Sequence, residues 1–292
     1  MRLVCSTLVG PALLALLLAG CVAAQDARLE LQPLADFPGS LAETSGLARW
    51  QQGFVSHNDS GNDPELFVLN DAGNITARRT ITSGNHDWED VAVHGDTLYL
   101  ADIGNNGGRR QDLRILPLVA NGDHFSPQTP LEIRYAEQHN FQPPRHQHNF
   151  DAEALTWVED ELWLLTKRWL DQQTAVYPLS PGVTPALLSE RQRLNTGMLV
   201  TGADYDANTQ TLLLVGYSRS WFNRRAWLWL YPVRDGRVDE AEGQRLLLSR
   251  SGQFEGIALG HDGAIYFSRE GHDTNLFRSR LSLAALLTDP QH

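Results

Sequence analysis

One short segment recurs five times in this chain with an oxygen-bearing side chain at the same place, and those side chains are the first candidates for chemistry. The copies are Thr44-Ser45-Gly46-Leu47-Ala48, Asp87-Trp88-Glu89-Asp90-Val91-Ala92, Asp151-Ala152-Glu153-Ala154-Leu155-Thr156, Val200-Thr201-Gly202-Ala203-Asp204 and Phe254-Glu255-Gly256-Ile257-Ala258. In register they give Ser45, Glu89, Glu153, Thr201 and Glu255. If the copies surround one axis, three carboxylates and two hydroxyls meet there. Carboxylates so placed repel one another and are pushed toward protonation unless a cation sits between them. A donor set made only of oxygen suits Ca2+ better than Zn2+ or copper. The competing expectation is a water-filled channel with a merely solvated polar lining.

The elements that must position these residues are short strands. Each copy is followed within about ten residues by a second apolar strand, and most intervening turns are rich in Gly, Asp and Asn, the pattern of stacked antiparallel sheets. Unit one reads as strands over 43–50, 53–57, 65–70 and 75–82, and unit two over 87–93, 97–102, 113–118 and 131–136. Units three and four run over 151–193 and 201–249. The last unit has only three strands, 254–259, 264–268 and 275–280. The missing fourth is supplied by 27–34, which resembles the outer strands before the other copies and would close the ring. Closure removes the exposed sheet edges of a linear array. The fold class predicted is all-β, a five-bladed β-propeller closed by an N-terminal outer strand. Six blades is the alternative if 119–150, which reads as a long loop, hides a divergent unit.

In an antiparallel blade the start of strand one and the end of strand two share a face. That face therefore holds the five ring positions with Glu43, Asp87 and Asp151, and the loops after each second strand. From those loops come Asp59 and Asp102 as general-base candidates, and Asn105, Asn106, Arg110, Lys167, Arg168, Tyr217, Arg219 and Arg269 as candidates to bind an anion. Asp and Asn in such loops also commonly cap turns. Trp88 and Trp221 are the tryptophans placed to touch a ligand, whereas Trp157, Trp163, Trp227 and Trp229 alternate with apolar residues as sheet packing does. His146 and His148 form a His-x-His pair without a third ligand of fixed spacing, a weak metal signal.

The formal net charge of −11 makes nucleic acid and anionic membrane surfaces poor partners, so an anionic ligand needs a local basic pocket. Lys167 is the only lysine in the chain. Arg2 and the apolar run that follows have the layout of an export signal, ending in Leu18-Ala19-Gly20-Cys21, the pattern of a lipoprotein cleavage site. An ordinary signal cut after Ala24 is the alternative. The expected organisation is a signal over 1–20, a lipidated linker over 21–26 with lipid on Cys21, one propeller domain over 27–286 and a polar tail over 287–292. Val22 lacks the acidic character of an inner-membrane retention signal, so the expected place is the outer membrane, lipid-anchored and facing the periplasm, with secretion to the periplasm as the alternative. The second cysteine, Cys5, leaves with the signal, so the mature chain forms no internal disulfide.

The recurring acid or hydroxyl at the head of each unit resembles the calcium-activated apyrases, five-bladed propellers with one calcium at the centre, and more loosely phytase-like and gluconolactonase-like propellers. The resemblance implies Ser45, Glu89, Glu153, Thr201 and Glu255 as calcium ligands, Thr201 standing where that family has serine. Two functions follow as expectations. One is a calcium-dependent binder, with possible hydrolysis, of a small anionic phosphoester or lactone. The other is a non-catalytic scaffold lipoprotein using the propeller face for a protein or glycan partner.

Overall fold

The computed structural model describes residues 27–220, 222–271 and 273–288. Cys21, the segments 1–20 and 21–26, Trp221 and the end of the tail lie outside the described residues. Strands β1 (Ala27–Leu29) and β2 (Leu31–Ala35) come first. Blade one holds β3 (Thr44–Trp50), β4 (Gly53–Asn58), β5 (Glu65–Leu69) and β6 (Ile75–Thr80). Next come β7 (Trp88–His94), β8 (Thr97–Asp102), β9 (Arg114–Asn121), β10 (His124–Pro127) and β11 (Leu131–Tyr135) of blade two. They are followed by β12 (Ala152–Val158), β13 (Glu161–Thr166), β14 (Thr174–Leu179), β15 (Ala186–Leu188) and β16 (Gln192–Leu194). Blade four is β17 (Leu199–Asp206), β18 (Thr211–Tyr217), β19 (Ala226–Arg234), β20 (Arg237–Val238) and β21 (Gln244–Leu248). Blade five is β22 (Phe254–Leu259), β23 (Ala264–Arg269) and β24 (Leu276–Ser282), and a short helix α1 (Leu283–Thr288) ends the description.

The five sheets form a five-bladed propeller whose inner strands β3, β7, β12, β17 and β22 pack around one axis. β2 pairs antiparallel with β24 and completes blade five, as the sequence predicts. The segment ahead of it behaves differently: β1 joins blade four, parallel to β21. A similar exchange gives blade two an extra outer strand, because β15 crosses over to lie parallel to β11. Two other readings need correction. Residues 119–127 are not loop, since β9 runs on to Asn121 and turns back as β10, and no sixth blade arises there. Of the polar tail expected over 287–292, Leu287 and Thr288 instead belong to helix α1, which buries Leu283 and Leu286.

Five apolar clusters hold the ring together, one at each interface between neighbouring blades. Val55, Trp88 and Leu100 fill the first, Leu155, Leu164 and Ile115 the second, and Trp163, Leu214 and Val200 the third. Phe254, Phe267 and Leu228 fill the fourth, and Phe54, Phe67 and Tyr266 close the circle between blades five and one. Every interface buries large aliphatic or aromatic side chains from both sides, so closure contributes to stability everywhere around the ring rather than at one seam.

Candidate functional site at the propeller axis

The inner strand of each blade carries one extra residue at the same register. The pairing slips between Trp88 and Asp90, between Ala152 and Ala154, between Val200 and Gly202, and between Phe254 and Gly256. Glu89, Glu153, Thr201 and Glu255 are thus the bulged residues, and blade one slips in the same place across Ser45 and Gly46. A bulge breaks the alternation of a strand and re-aims a side chain. Here it brings an alternating pattern to bear on the axis. The residue after the bulge is glycine in three blades: a Cβ on Gly202 would lie 2.6 Å from the Glu255 carbonyl oxygen, and one on Gly256 2.7 Å from that of Ser45. Glycine there lets neighbouring inner strands close up.

Ser45, Glu89, Glu153 and Glu255 line a cavity of about 360 Å3 at the axis, on the face predicted from strand direction. Asp59, Lys167, Tyr217, Arg219 and Asn106 line it too, as do Trp169, His146 and Arg224. The cavity has two unlike sides.

On the side of blades one and two, Asp59, Asp87 and Glu89 offer carboxylate oxygens that all lie within 4.8 Å of one another. Glu89 is 3% exposed, and among the described residues no hydrogen bond or ion pair reaches its carboxylate. Burial, then the charges of Glu153, Asp59 and Asp87, push it well above the usual carboxylate range. Burial and Asp59 push Asp87 up to about 6. The backbone approaches closely here, since a Cβ on Gly104 would sit 2.1 Å from Glu89 Oε1 and 2.4 Å from Asp87 Oδ2. Only glycine leaves the two carboxylates that room.

On the side of blades three to five a cation is built in. Lys167 Nζ lies 2.9 Å from Glu153 Oε1, and it sits 5.2 Å and 5.5 Å from the ring centroids of Trp169 and Tyr217. Burial works against its charge, yet the carboxylates of Glu153 and Glu255 hold the ammonium well above its ordinary pKa. Trp169 is itself fixed: its indole N–H donates to Asp151 Oδ2 at 2.7 Å, His146 stacks on it at 3.8 Å, and its carbonyl accepts from Arg219 at 2.8 Å. Tyr217 donates to Glu255 Oε1 at 3.2 Å, and the Arg224 guanidinium lies 5.4 Å from the Tyr217 ring. Burial brings Glu255 up to about 7, Lys167 opposing the rise.

The geometry redistributes the roles expected from sequence. Of the five ring residues only Glu89 joins the close group of carboxylates, while the Ser45 hydroxyl donates to the Glu89 carbonyl at 2.7 Å and that of Thr201 to the Phe254 carbonyl at 2.6 Å, tying each blade to the next. Glu153 and Glu255 face Lys167. Asp59 belongs with the carboxylate group and Asp87 joins it. Asp102 is not placed as a base, because it is fully buried and accepts from Arg110 at 2.9 Å and Arg114 at 3.0 Å. Arg110 is occupied by that carboxylate, by Asp112 and by the Gly104 carbonyl. Asn105 is a brace, its backbone N–H and side chain bound to Asp151 and Phe150. Arg168 forks onto Asp171 beside a different groove, and Arg269 binds the Ser251 and Thr274 carbonyls over the Phe277 ring. Trp88 is wholly buried against His57, so it packs an interface and touches no ligand space.

Trp169, His146, Arg145 and Arg224 line the cavity without having been assigned to it from sequence. His146 carried a signal, read only as a metal pair; its partner His148 instead bonds the Asn106 carbonyl at 3.1 Å. Trp169 had the plainer signal, two residues past the only lysine at the end of a second strand.

No family profile matches the sequence, and no curated protein matches it. Among solved structures, the chain is similar to a glucose dehydrogenase, with 11% identity, 86% of this chain and 99% of that chain covered, and a TM-score of 0.53. It is also similar to the soluble aldose sugar dehydrogenase of Escherichia coli, with 10% identity, coverages of 85% and 98% and a TM-score of 0.49. A third is the calcium structure of a Trichoderma reesei carbohydrate-active enzyme of family AA12, with 9% identity, coverages of 86% and 95% and a TM-score of 0.48. At 11% identity the first of these likenesses is one of fold, and it agrees with a propeller.

Proposed function

We propose that the axial cavity binds one Ca2+ through Asp59, Asp87 and Glu89 and holds a small anionic ligand, of the phosphoester or lactone class, between that ion and the basic side of the cavity. The observation that carries the reading is the buried Glu89 carboxylate, unpaired and facing two more carboxylates. Two oxygens on one Ca2+ at about 2.4 Å each lie at most about 4.8 Å apart, so the spacing of the three groups fits the ion. Carboxylates alone, with no thiolate or imidazole among them, favour Ca2+ over softer metals. Lys167, Arg145, Arg219 and Arg224 then supply the local basic pocket that an anion needs in an acidic protein. The volume is at the small end of ligand sites, suited to a small molecule rather than a polymer.

Hydrolysis of the ligand is the second reading, favoured by Glu255. A carboxylate lining the cavity with its pKa brought up to about 7 is matched to accept a proton from water near neutral pH. Bound Ca2+ would supply polarisation of a phosphoryl or ester oxygen. Titration of the metal-stripped protein with Ca2+ by calorimetry tests the first reading, and heat from one site is expected. Absence of binding, with melting unaltered by chelator, sinks it. A screen against p-nitrophenyl phosphate and simple lactones, with and without chelator, tests the second, which falls if nothing turns over.

The lipid anchor, with outer-membrane placement facing the periplasm, is part of the same proposal. The short stretch from Cys21 to Ala27 reaches about 20 Å at full extension, so a lipid on Cys21 would keep the propeller close to the membrane. Labelling of the expressed protein with a radioactive fatty acid, lost in Cys21→Ser, is the expected result, and an unlabelled wild type removes the anchor.

A further inference from the structure

We infer that Lys167 stands in for a second cation at the propeller axis, so that the cavity takes one divalent ion and not two. The inference builds on the single-ion reading above. Three glutamates are turned onto one axis by equivalent bulges, and each is at least nine-tenths buried. Such an arrangement calls for positive charge on every side of it. On the blade-one and blade-two side, among the described residues, no ion pair reaches Asp59, Asp87 or Glu89, and Lys167 and Arg110 act on Asp59 and Asp87 only from a distance. On the other side Lys167 supplies that charge, 2.9 Å from Glu153 and with its ammonium between the rings of Trp169 and Tyr217.

The residue type supports a metal-like role. Of the 24 basic lysine and arginine side chains, every other one is arginine. An ammonium is a compact point charge with donors directed around it, whereas a guanidinium is a planar fork. At a crowded axis the ammonium is the closest side-chain equivalent of a bound ion. It is also held as an ion would be, by carboxylate oxygen on one side and by the faces of two aromatic rings, one fixed by Asp151 and the other donating to Glu255. This arrangement gives the bound oxyanion two unlike partners, a divalent ion on one side and a fixed monovalent charge on the other.

The test counts ions. Tb3+ luminescence and Ca2+ calorimetry are measured on the whole wild-type protein, on Lys167→Met and on Lys167→Met combined with Glu153→Gln, each checked for its fold by circular dichroism. One site in the wild type, two in the single variant and one again in the double variant is the expected pattern. A folded Lys167→Met protein with the same number of sites as the wild type overturns the inference while leaving the single-ion reading intact. No site in the wild type but one in the variant overturns the single-ion reading and upholds the role of Lys167. If the variant does not fold, wild-type protein labelled with 15N at lysine Nζ gives a single ammonium resonance. Slow exchange with solvent that persists on adding Ca2+ supports the inference, and release to fast, free-lysine exchange overturns it, because the ion has then displaced the lysine.

Discussion

The two sides of the axial cavity begin from the same sequence unit and end with unlike partners. In blades three and five the bulged glutamates meet a lysine that the chain itself provides. In blade two the bulged glutamate meets the carboxylates of Asp59 and Asp87. Burial is similar, 3% exposed for Glu89 against 4% for Glu153, so desolvation does not separate them. The difference is the partner. One side is balanced by the chain itself, and the other is left with a surplus of negative charge that a ligand can relieve.

The sharpest way to break that contrast is to remove the internal cation. Lys167→Met leaves Glu153 buried without its partner, and loss of one member of a buried ion pair costs about 3–5 kcal/mol. Chemical denaturation of the metal-free protein is expected to show a loss of that size. A change under about 1 kcal/mol would mean that solvent reaches Glu153 freely. Glu89→Gln should do the reverse. It removes charge from an unpaired group, so the metal-free protein is not weakened, but Ca2+ affinity falls on the order of 100-fold, about 2.7 kcal/mol. Unchanged calcium affinity in that variant, measured by calorimetry, would take Glu89 out of the ligand set.

A pH scan sharpens the same comparison. Asp87 and Glu89 are raised in the folded protein, so the folded state holds protons that the unfolded chain has lost, and stability falls as pH rises through that window. For Asp87 the window runs from its ordinary value of 3.8 to about 6. In metal-free protein the contribution of these carboxylates should therefore be smaller at pH 7.5 than at pH 5, against an opposing gain from buried His57, whose pKa burial lowers to about 4, so the carboxylate part is read from Asp87→Asn compared with the wild type. Saturating Ca2+ should flatten the part due to the cavity only. Asp204, pushed up to about 6 by burial at the far end of the axis, binds the Leu259 amide and keeps its own contribution. Identical melting profiles with and without calcium would contradict the assignment.

How far the sequence carries this reading depends on what each feature repeats. The ring positions, the blade count and the closing strand are legible because they recur, and recurrence at fixed period is the mark of a propeller. The bulge is not legible: nothing in Trp88-Glu89-Asp90 announces an extra residue, although Gly46, Gly202 and Gly256 after the bulge hint at close approach. Without the bulge, Asp87 and Glu89 would be assigned by alternation, and their meeting with Asp59 across blades would be missed. The exchange of β1 and β15 between blades is likewise hidden, because a three-residue strand pairs through its backbone and leaves little pattern. Lys167 is legible as a rarity but not as the partner of Glu153, since a second-strand end and a first-strand start are joined only by the blade's own pairing. Asp102 misleads for a similar reason: its loop looks like a site, but Arg110 from that loop and Arg114, twelve residues on in the next strand, together close it off.

The smallest effects are expected at the two hydroxyl positions, and they separate a ring of ligands from a split axis. Were Ser45 and Thr201 ion ligands alongside the glutamates, Ser45→Ala and Thr201→Ala would each weaken calcium binding. In the arrangement described, both hydroxyls hold a carbonyl of the adjacent blade. Each substitution then removes one buried hydrogen bond and costs about 0.5–1.5 kcal/mol of stability, with calcium affinity unmoved. Ser45→Ala is the more informative of the two. Its oxygen lines the cavity, and the carbonyl it holds belongs to Glu89, so loss of that bond frees the bulge that aims the carboxylate. A drop in calcium affinity at Ser45 but not at Thr201 would show that blade one helps to set the ion site through the Glu89 backbone, whereas equal drops at both would restore the five-membered ring.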